Sequence, residues 1–301
     1  MVKKAAVETV ENTVNEMVTD LVTRAQRALA ILETFDQAKI DNIVHQMAIA
    51  GLDQHMTLAK MAVEETGRGI YEDKAIKNIF ATEEIWNAIK DNKTVGVIEE
   101  DPEHGITKIA EPVGVIAGVT PVTNPTSTTI FKAEIAIKTR NPIIFAFHPS
   151  AQRCSAEALN VIKAAAVKAG MPADALLYIE EPSIAATQAL MNHEGVATVL
   201  ATGGPGMVKA AYSTGKPALG VGAGNAPAYI EASANIKQAV NDLILSKSFD
   251  NGMICASEQA VIVDAEIYTA VKKEFQAQGV YFAKPSELSA LNDAVIDPDK
   301  N

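Results

Sequence analysis

Cysteine is nearly absent from this sequence, with two in 301 residues. So few thiols cannot staple a chain of this size, which excludes a disulfide framework and makes a reducing compartment, the cytoplasm, the expectation. The five histidines, His45, His55, His104, His148 and His193, show no HExxH and no metal-ligand spacing, so no metal site is expected. Positive charge is also short: 26 Lys and Arg face 37 Asp and Glu, a net charge of −11. That balance lacks the basic stripe of a nucleic-acid binder and favours solubility. Long apolar runs are missing too. The longest uncharged stretch, residues 112–131, carries three prolines and six Ser or Thr, too polar and too broken for the roughly 20 apolar residues of a membrane span. Glu8, Glu11 and Glu16 follow Met1-Val2-Lys3-Lys4 and leave no apolar core for a secretory signal.

What is present is an ordinary globular composition, 48% apolar and 21% charged, in a length that predicts roughly two domains. Val7, Val10, Val14, Met17, Val18, Leu21, Ala25, Leu29 and Leu32 recur at helical spacing, so a long amphipathic helix over 5–33 is expected to pack on its own domain. Helical segments follow at 37–51, 52–66 and 70–89. Two short β-like runs, 95–98 and 106–109, flank an acidic turn as in a hairpin. Apolar runs then alternate with helices: strands at 113–119, 143–147, 176–179 and 196–201, helices at 127–139, 151–169, 183–191 and 206–212. Strands buried on both faces in this rhythm predict an α/β fold with a doubly wound parallel sheet, whose ligands belong at the carboxyl ends of the strands. After a helix at 236–246, the division is expected at 1–245 and 246–301. The polar 297–301 reads as a truncation point.

Few segments carry candidate chemistry. Phe249-Asp250-Asn251-Gly252-Met253-Ile254-Cys255-Ala256-Ser257-Glu258-Gln259 puts one of the two thiols in a small-residue loop before the β-like Ala260-Val261-Ile262-Val263. A thiolate there would attack a carbonyl, although free cysteines also serve as small buried apolar residues. Cys154 lies on one helical face with Ala158, Val161, Ile162 and Ala165 and reads as core. Asn124, in Pro121-Val122-Thr123-Asn124-Pro125, follows a strand and offers amide donors to an oxyanion, or simply makes a turn. Thr202-Gly203-Gly204-Pro205-Gly206-Met207 links a strand to a helix. It is either a phosphate cradle or an ordinary turn. Gly220-Val221-Gly222-Ala223-Gly224 precedes a β-like run, Ala226–Ile230, and reads as close backbone packing rather than a cradle.

In order, these segments form a recognisable set. They are Glu111-Pro112-Val113-Gly114-Val115-Ile116 through Thr123-Asn124-Pro125-Thr126-Ser127, Lys138-Thr139-Arg140-Asn141, Ala201–Tyr212, and Lys216-Pro217-Ala218 with Gly220–Asn225. Phe249-Asp250-Asn251-Gly252 with Cys255-Ala256-Ser257-Glu258-Gln259 completes it. The set resembles the aldehyde dehydrogenase superfamily in its CoA-acylating branch, and most of all the acetaldehyde dehydrogenase part of the bifunctional aldehyde–alcohol dehydrogenases of ethanol fermentation. The resemblance implies an NAD-binding domain over 1–245 and the start of a catalytic domain over 246–301. It implies Cys255 as nucleophile, with Asn124 and the Cys255 backbone N–H as oxyanion donors. Thr202, Gly203 and Gly204 would face the pyrophosphate of NAD, and His148 with Pro149 would stand near its ribose, where water-using relatives carry a Lys. The implied partners are a small aldehyde or acyl-CoA, CoA as co-substrate, and further copies of the chain in a homo-oligomer or filament, joined through the first helix and the hairpin near 95–109.

One departure from water-using relatives bears on the chemistry. Their segment matching Val221 carries a Glu that activates water, whereas residues 215–230 here contain no carboxylate. A thioester on Cys255 without such a base would wait for a thiol, and thioester-to-thioester exchange is nearly isoenergetic. Water-using or other semialdehyde dehydrogenase chemistry, and a non-catalytic assembly role, are the alternative expectations. A second departure is length: the family's catalytic domain runs well beyond residue 301, so a chain inactive by itself is also expected.

Overall fold

The computed structural model describes residues 2–296; the expectation for 297–301 lies outside them. Two units divide the chain, Met1–Ala223 with Asp250–Cys255, and Gly224–Phe249 with Ala256–Asn301. The 245/246 division expected from sequence falls inside a helix, Ile236–Ser248. Pairing explains why the units divide elsewhere. Strand Ala226–Ile230 runs parallel to Glu258–Val263, and that helix packs with both. The loop 250–255, in contrast, is held by contacts within the first unit.

The first unit opens with α1 (Val2–Leu32), α2 (Gln37–Asp53), α3 (His55–Thr66), α4 (Tyr71–Ile79) and α5 (Ile85–Ile89). The helix expected over 70–89 is interrupted: Phe80–Glu84 forms a π turn, around which the Thr82 hydroxyl donates to the Asn78 and Ile79 carbonyls. Then come β1 (Gly96–Asp101) and β2 (Ile106–Ala110), an antiparallel hairpin with Val97, Ile98, Ile106 and Ile109 exposed. The alternating part follows as β3 (Val115–Val119), α6 (Pro125–Lys138), β4 (Ile143–Ala146), α7 (Gln152–Lys168), β5 (Leu176–Tyr178), α8 (Ile184–Asn192), β6 (Val196–Thr202), α9 (Pro205–Tyr212) and β7 (Ala218–Val221).

The five strands form one parallel sheet in the order β5-β4-β3-β6-β7. The chain winds outward from β3 on one side and from β6 on the other, so the order reverses between β3 and β6. Side chains alternate as a two-residue period requires. Ile116, Ile143 and Phe145 join α2, α6 and α7 in one core. Val115, Ala117, Val119, Ile144 and Ala146 join α1, α8 and α9 in the other. Burying both faces accounts for the nearly unbroken apolar runs. The first helix therefore packs on its own unit, through Val18, Leu21, Val22 and Ala25.

Strand β7 is not apparent in the sequence, because its glycine removes the side chain that a strand pattern needs. Gly220 permits close packing: a Cβ there would lie 2.7 Å from the Tyr212 ring, and its N–H donates to the Tyr212 hydroxyl at 3.1 Å. At the reversal point the buried Lys132 ammonium clamps the two central strands, donating to Val119 O at 2.6 Å and Leu200 O at 2.7 Å. Burial pulls its pKa down to about 7.

The second unit contains β8 (Ala226–Ile230), α10 (Ile236–Ser248), β9 (Glu258–Val263), α11 (Tyr268–Ala277) and α12 (Leu288–Val295). Ile230, Val240 and Val271 form its small core. No helix among the described residues is long and apolar enough to cross a membrane.

Glu134 in α6 is fully buried, and neither carboxyl oxygen has a hydrogen-bond partner among the described residues. Burial raises its pKa to about 9 from 4.5. The unfolded chain therefore gives up a proton that the folded chain keeps, and stability falls as pH rises from about 4.5 towards about 9. Glu134→Gln removes that slope. Thermal melts should show the variant and the parent close together at pH 5, and the variant ahead by roughly 3 kcal/mol at pH 7. Parallel pH profiles would contradict a neutral, buried Glu134.

Candidate active site

Asn124 sits between β3 and α6, at the carboxyl edge of the sheet and beside the point where strand order reverses. It occupies the N-cap position of α6 but makes no side-chain cap, and Pro125 follows at the first helical position. The proline lacks an N–H, so the first turn makes one demand fewer on a capping side chain. The amide is engaged elsewhere: Oδ1 accepts from Lys77 Nζ at 2.7 Å, and Nδ2 donates to Thr123 Oγ1 at 3.1 Å.

Lys77 comes from α4, where Lys74 and Lys77 stand three residues apart and therefore share a face. Both are buried, and both meet the buried carboxylate of Asp250. Asp250 Oδ2 accepts from Lys77 at 2.5 Å and from Lys74 at 3.0 Å, while Oδ1 accepts from the Ile70 N–H at 2.8 Å. The Asp250 N–H donates to Asp73 Oδ2 at 2.6 Å. Lys74 also reaches Thr123 O at 2.9 Å, and Lys77 reaches Met253 O at 2.9 Å. Burial is the main influence on Lys77 and lowers its pKa, with Asp250 acting in the opposite sense.

This anchor dictates unusual backbone. Asp250 and Asn251 both adopt left-handed conformations, φ 50° and 54°, followed by Gly252 at 73°. Such angles are costly outside glycine and persist only where surrounding contacts impose them. Gly69, itself at φ +71°, must be glycine: a Cβ there would stand 2.0 Å from Asp250 Oδ1. The curled segment closes with the Met253 N–H donating to Asp250 O at 3.0 Å. Two residues later Cys255 is exposed.

The other residues singled out in the sequence distribute along the same sheet edge. Thr202 ends β6, the Gly203 N–H donates to Val221 O at 3.0 Å, and Gly204 precedes α9. Around Gly204 and Gly206 a Cβ would meet nothing within 4 Å, so the backbone there is open to close approach. Val221 ends β7, 47% exposed, with no carboxylate in its place. His148 and Pro149 follow β4. The His148 ring accepts from the Ser150 N–H at 3.1 Å, capping a short 3-10 turn. Burial, helped by Arg68, lowers the His148 pKa. Cys154 is core: it is fully buried, and burial with the nearby Glu65 carboxylate pushes its thiol up to about 12. The Lys138–Asn141 block is structural, since Lys138 bonds Asp41 and Asn141 Oδ1 receives the Gly114 N–H. Among the described residues no cluster of His, Cys, Asp and Glu is arranged to hold a metal.

Lys74, Lys77 and Asp250 were not apparent as site residues from sequence. The available signal was weak, namely two lysines at helical spacing and an aspartate five residues before the loop cysteine.

The chain matches the family model described as "Aldehyde dehydrogenase family" over residues 2–282. It is 59% identical over 281 residues to aldehyde-alcohol dehydrogenase 2 of Entamoeba histolytica, an alignment covering 93% of this chain and 32% of that protein. The chain thus spans about a third of the length of that curated relative. Among solved structures, an acetylating aldehyde dehydrogenase from Geobacillus thermoglucosidasius superposes with a TM-score of 0.90 at 49% identity. That match covers 96% of this chain and 64% of the other. A Rhodopseudomonas palustris propionaldehyde dehydrogenase with bound propionyl-CoA gives 0.82 at 33% identity, covering 94% and 62%.

Two outcomes follow from the geometry. Asp250→Ala strands two buried ammoniums, and breaking a buried ion pair costs about 3–5 kcal/mol; urea unfolding should register a loss of that order, and a loss under about 1 kcal/mol would contradict the anchor. Iodoacetamide followed by peptide mapping should mark Cys255 in the folded protein and Cys154 only after denaturation.

Proposed function

This chain belongs to the aldehyde dehydrogenase family, and from that premise we propose that it carries a CoA-acylating acetaldehyde dehydrogenase activity. The reaction interconverts acetaldehyde, CoA and NAD⁺ with acetyl-CoA and NADH. The observation that supports this reading is the Asp250 anchor. The loop leading to Cys255 is pinned to α4 by the same lysine that holds Asn124.

In the proposed sequence the Cys255 thiolate adds to the aldehyde carbonyl. The oxyanion of the resulting thiohemiacetal takes a hydrogen bond from Asn124 Nδ2 and one from the Cys255 backbone N–H. Bound NAD⁺ would supply the hydride acceptor, and hydride loss leaves a thioester on Cys255. Thr202, Gly203 and Gly204 suit its pyrophosphate, because the open backbone at Gly204 lets an anion approach. His148 and Pro149 lie on the same edge, towards the ribose. The CoA thiolate then attacks the thioester, its sulfur bonds the acyl carbon, and the Cys255 thiolate leaves. With no carboxylate over 215–230, water lacks a base at Val221, so the thioester persists until a thiol arrives.

The rest of the proposal concerns context. The first unit serves as the dinucleotide-binding domain. Copies of the chain associate through the hairpin, where Val97, Ile106 and Ile109 are exposed. The protein works in the cytoplasm, within a bifunctional aldehyde–alcohol dehydrogenase of ethanol fermentation.

The test is NADH absorbance from acetaldehyde and NAD⁺ with CoA present or withheld, on this chain and on a longer polypeptide containing it. CoA-dependent NADH formation is expected. Asn124→Ala should slow it ~100- to 1,000-fold, the usual cost of one oxyanion donor, while NAD⁺ binding persists. Free acid formed at full rate without CoA, or near-normal turnover by the variant, would overturn the reading.

A further inference from the structure

We propose that Lys77 is the positioning residue of this site, the single group that decides which end of the Asn124 amide is presented to a ligand and that ties this amide to the loop bearing Cys255. The inference rests on the roles proposed above for Asn124 and Cys255.

The argument begins with what a lysine can do. An ammonium donates hydrogen bonds and accepts none. The Asn124 atom 2.7 Å from Lys77 Nζ is therefore the carbonyl Oδ1, and the opposite end is Nδ2 with its two protons. One proton goes to Thr123 Oγ1, and a ligand oxygen can take the second. An amide has nearly the same shape after a half-turn about its terminal bond, so packing alone would hold it poorly. Charge holds it: the reversed amide would set N–H against N–H₃⁺ and aim a carbonyl lone pair at any developing oxyanion.

The same nitrogen donates to Met253 O, two residues before Cys255, and to Asp250 Oδ2. One atom thus fixes the amide and also the backbone next to the thiol. The left-handed run at 250–252 makes this second tie matter, because a segment at those angles needs external contacts to stay curled. Lys74 shares the Asp250 carboxylate, but its other bond goes to Thr123 O rather than to the Asn124 amide. The two lysines therefore divide the work: both neutralise Asp250, and only Lys77 orients Asn124.

The test is a double-mutant cycle of wild type, Lys77→Met, Asn124→Ala and the double variant. It is read on a half-reaction that needs no dinucleotide. With acetyl-CoA as the probe, the Cys255 thiolate bonds the acyl carbon, the CoA–acyl bond breaks, and the CoA thiolate leaves to solvent. Intact-mass spectrometry follows the acetylated protein in a single turnover. Lys77→Met should slow acetylation ~100-fold in the wild-type background, matching the loss of an oxyanion donor. In the Asn124→Ala background only the tie to the Cys255 loop is left to lose, so the cost should fall to under ~10-fold, because residues acting through one another are not additive. A purely structural lysine would cost the same factor in both backgrounds, and that result, or no loss at all, overturns the proposal. Should Lys77→Met melt below the assay temperature, Lys77→Arg carries the cycle. It keeps a cation opposite Asp250, but its planar fork does not match three acceptors around one nitrogen, and the same non-additivity is expected. The cycle is run in the longer polypeptide containing this chain; if Asn124→Ala acetylates there at the normal rate, or wild type not at all, the functional reading fails and this inference with it. If Asn124→Ala is slow while Lys77 behaves additively, only the present inference fails.

Discussion

The site depends on a buried charge that cannot be left alone. Asp250 is fully enclosed, and an unpaired carboxylate there would cost several kcal/mol. Two ammoniums and a backbone N–H compensate it, all supplied by α4 and the residue just before that helix. The consequence is geometric as much as energetic. Once Asp250 is fixed, the backbone around it turns left-handed and the cysteine two residues past Met253 emerges on the surface. The same lysines reach across to the loop between β3 and α6. An ion cluster within one unit thus brings together the two segments that the family resemblance assigned to chemistry.

The parallel sheet supplies the frame for this cluster. Reversal of strand order between β3 and β6 leaves the chain free to diverge at their carboxyl ends, the place where open α/β sheets receive ligands. Asn124 and Thr202 leave the sheet on either side of that point. Lys132 closes it from below, bonding carbonyls on both strands. A buried lysine with no carboxylate partner among the described residues is costly, and its lowered pKa reflects the burial.

Much of this architecture was legible in the sequence, for a physical reason. Strands buried on two faces leave continuous apolar runs, and the helices between them leave a 3.6-residue period, so β3 to β6, α6 to α9 and the hairpin emerge from pattern alone. What escaped depends on contacts remote in sequence or on missing side chains. Strand β7 contains a glycine and shows no alternation. The π turn at Phe80–Glu84 follows from packing that no local pattern encodes. The pairing of Lys77 with Asp250 spans 173 positions, and two lysines one helical turn apart look like a solvated face until a carboxylate is found opposite them. The left-handed angles at Asp250 and Asn251 were hidden too, since neither residue type demands them. The thiol and the asparagine were visible as candidates, but only the fold reveals the cluster that joins their two segments.

Buried ion clusters can often be exchanged for hydrocarbon with a gain in ruggedness. Here that route has a hidden penalty, because the same ions hydrogen-bond the Asn124 amide and the backbone before Cys255. Selection for heat resistance alone would favour apolar replacements at positions 74, 77 and 250 together, and would yield a sturdier protein whose Asn124 amide has lost its Lys77 partner. Hardening this scaffold without loosening those contacts has to proceed through other parts of the molecule.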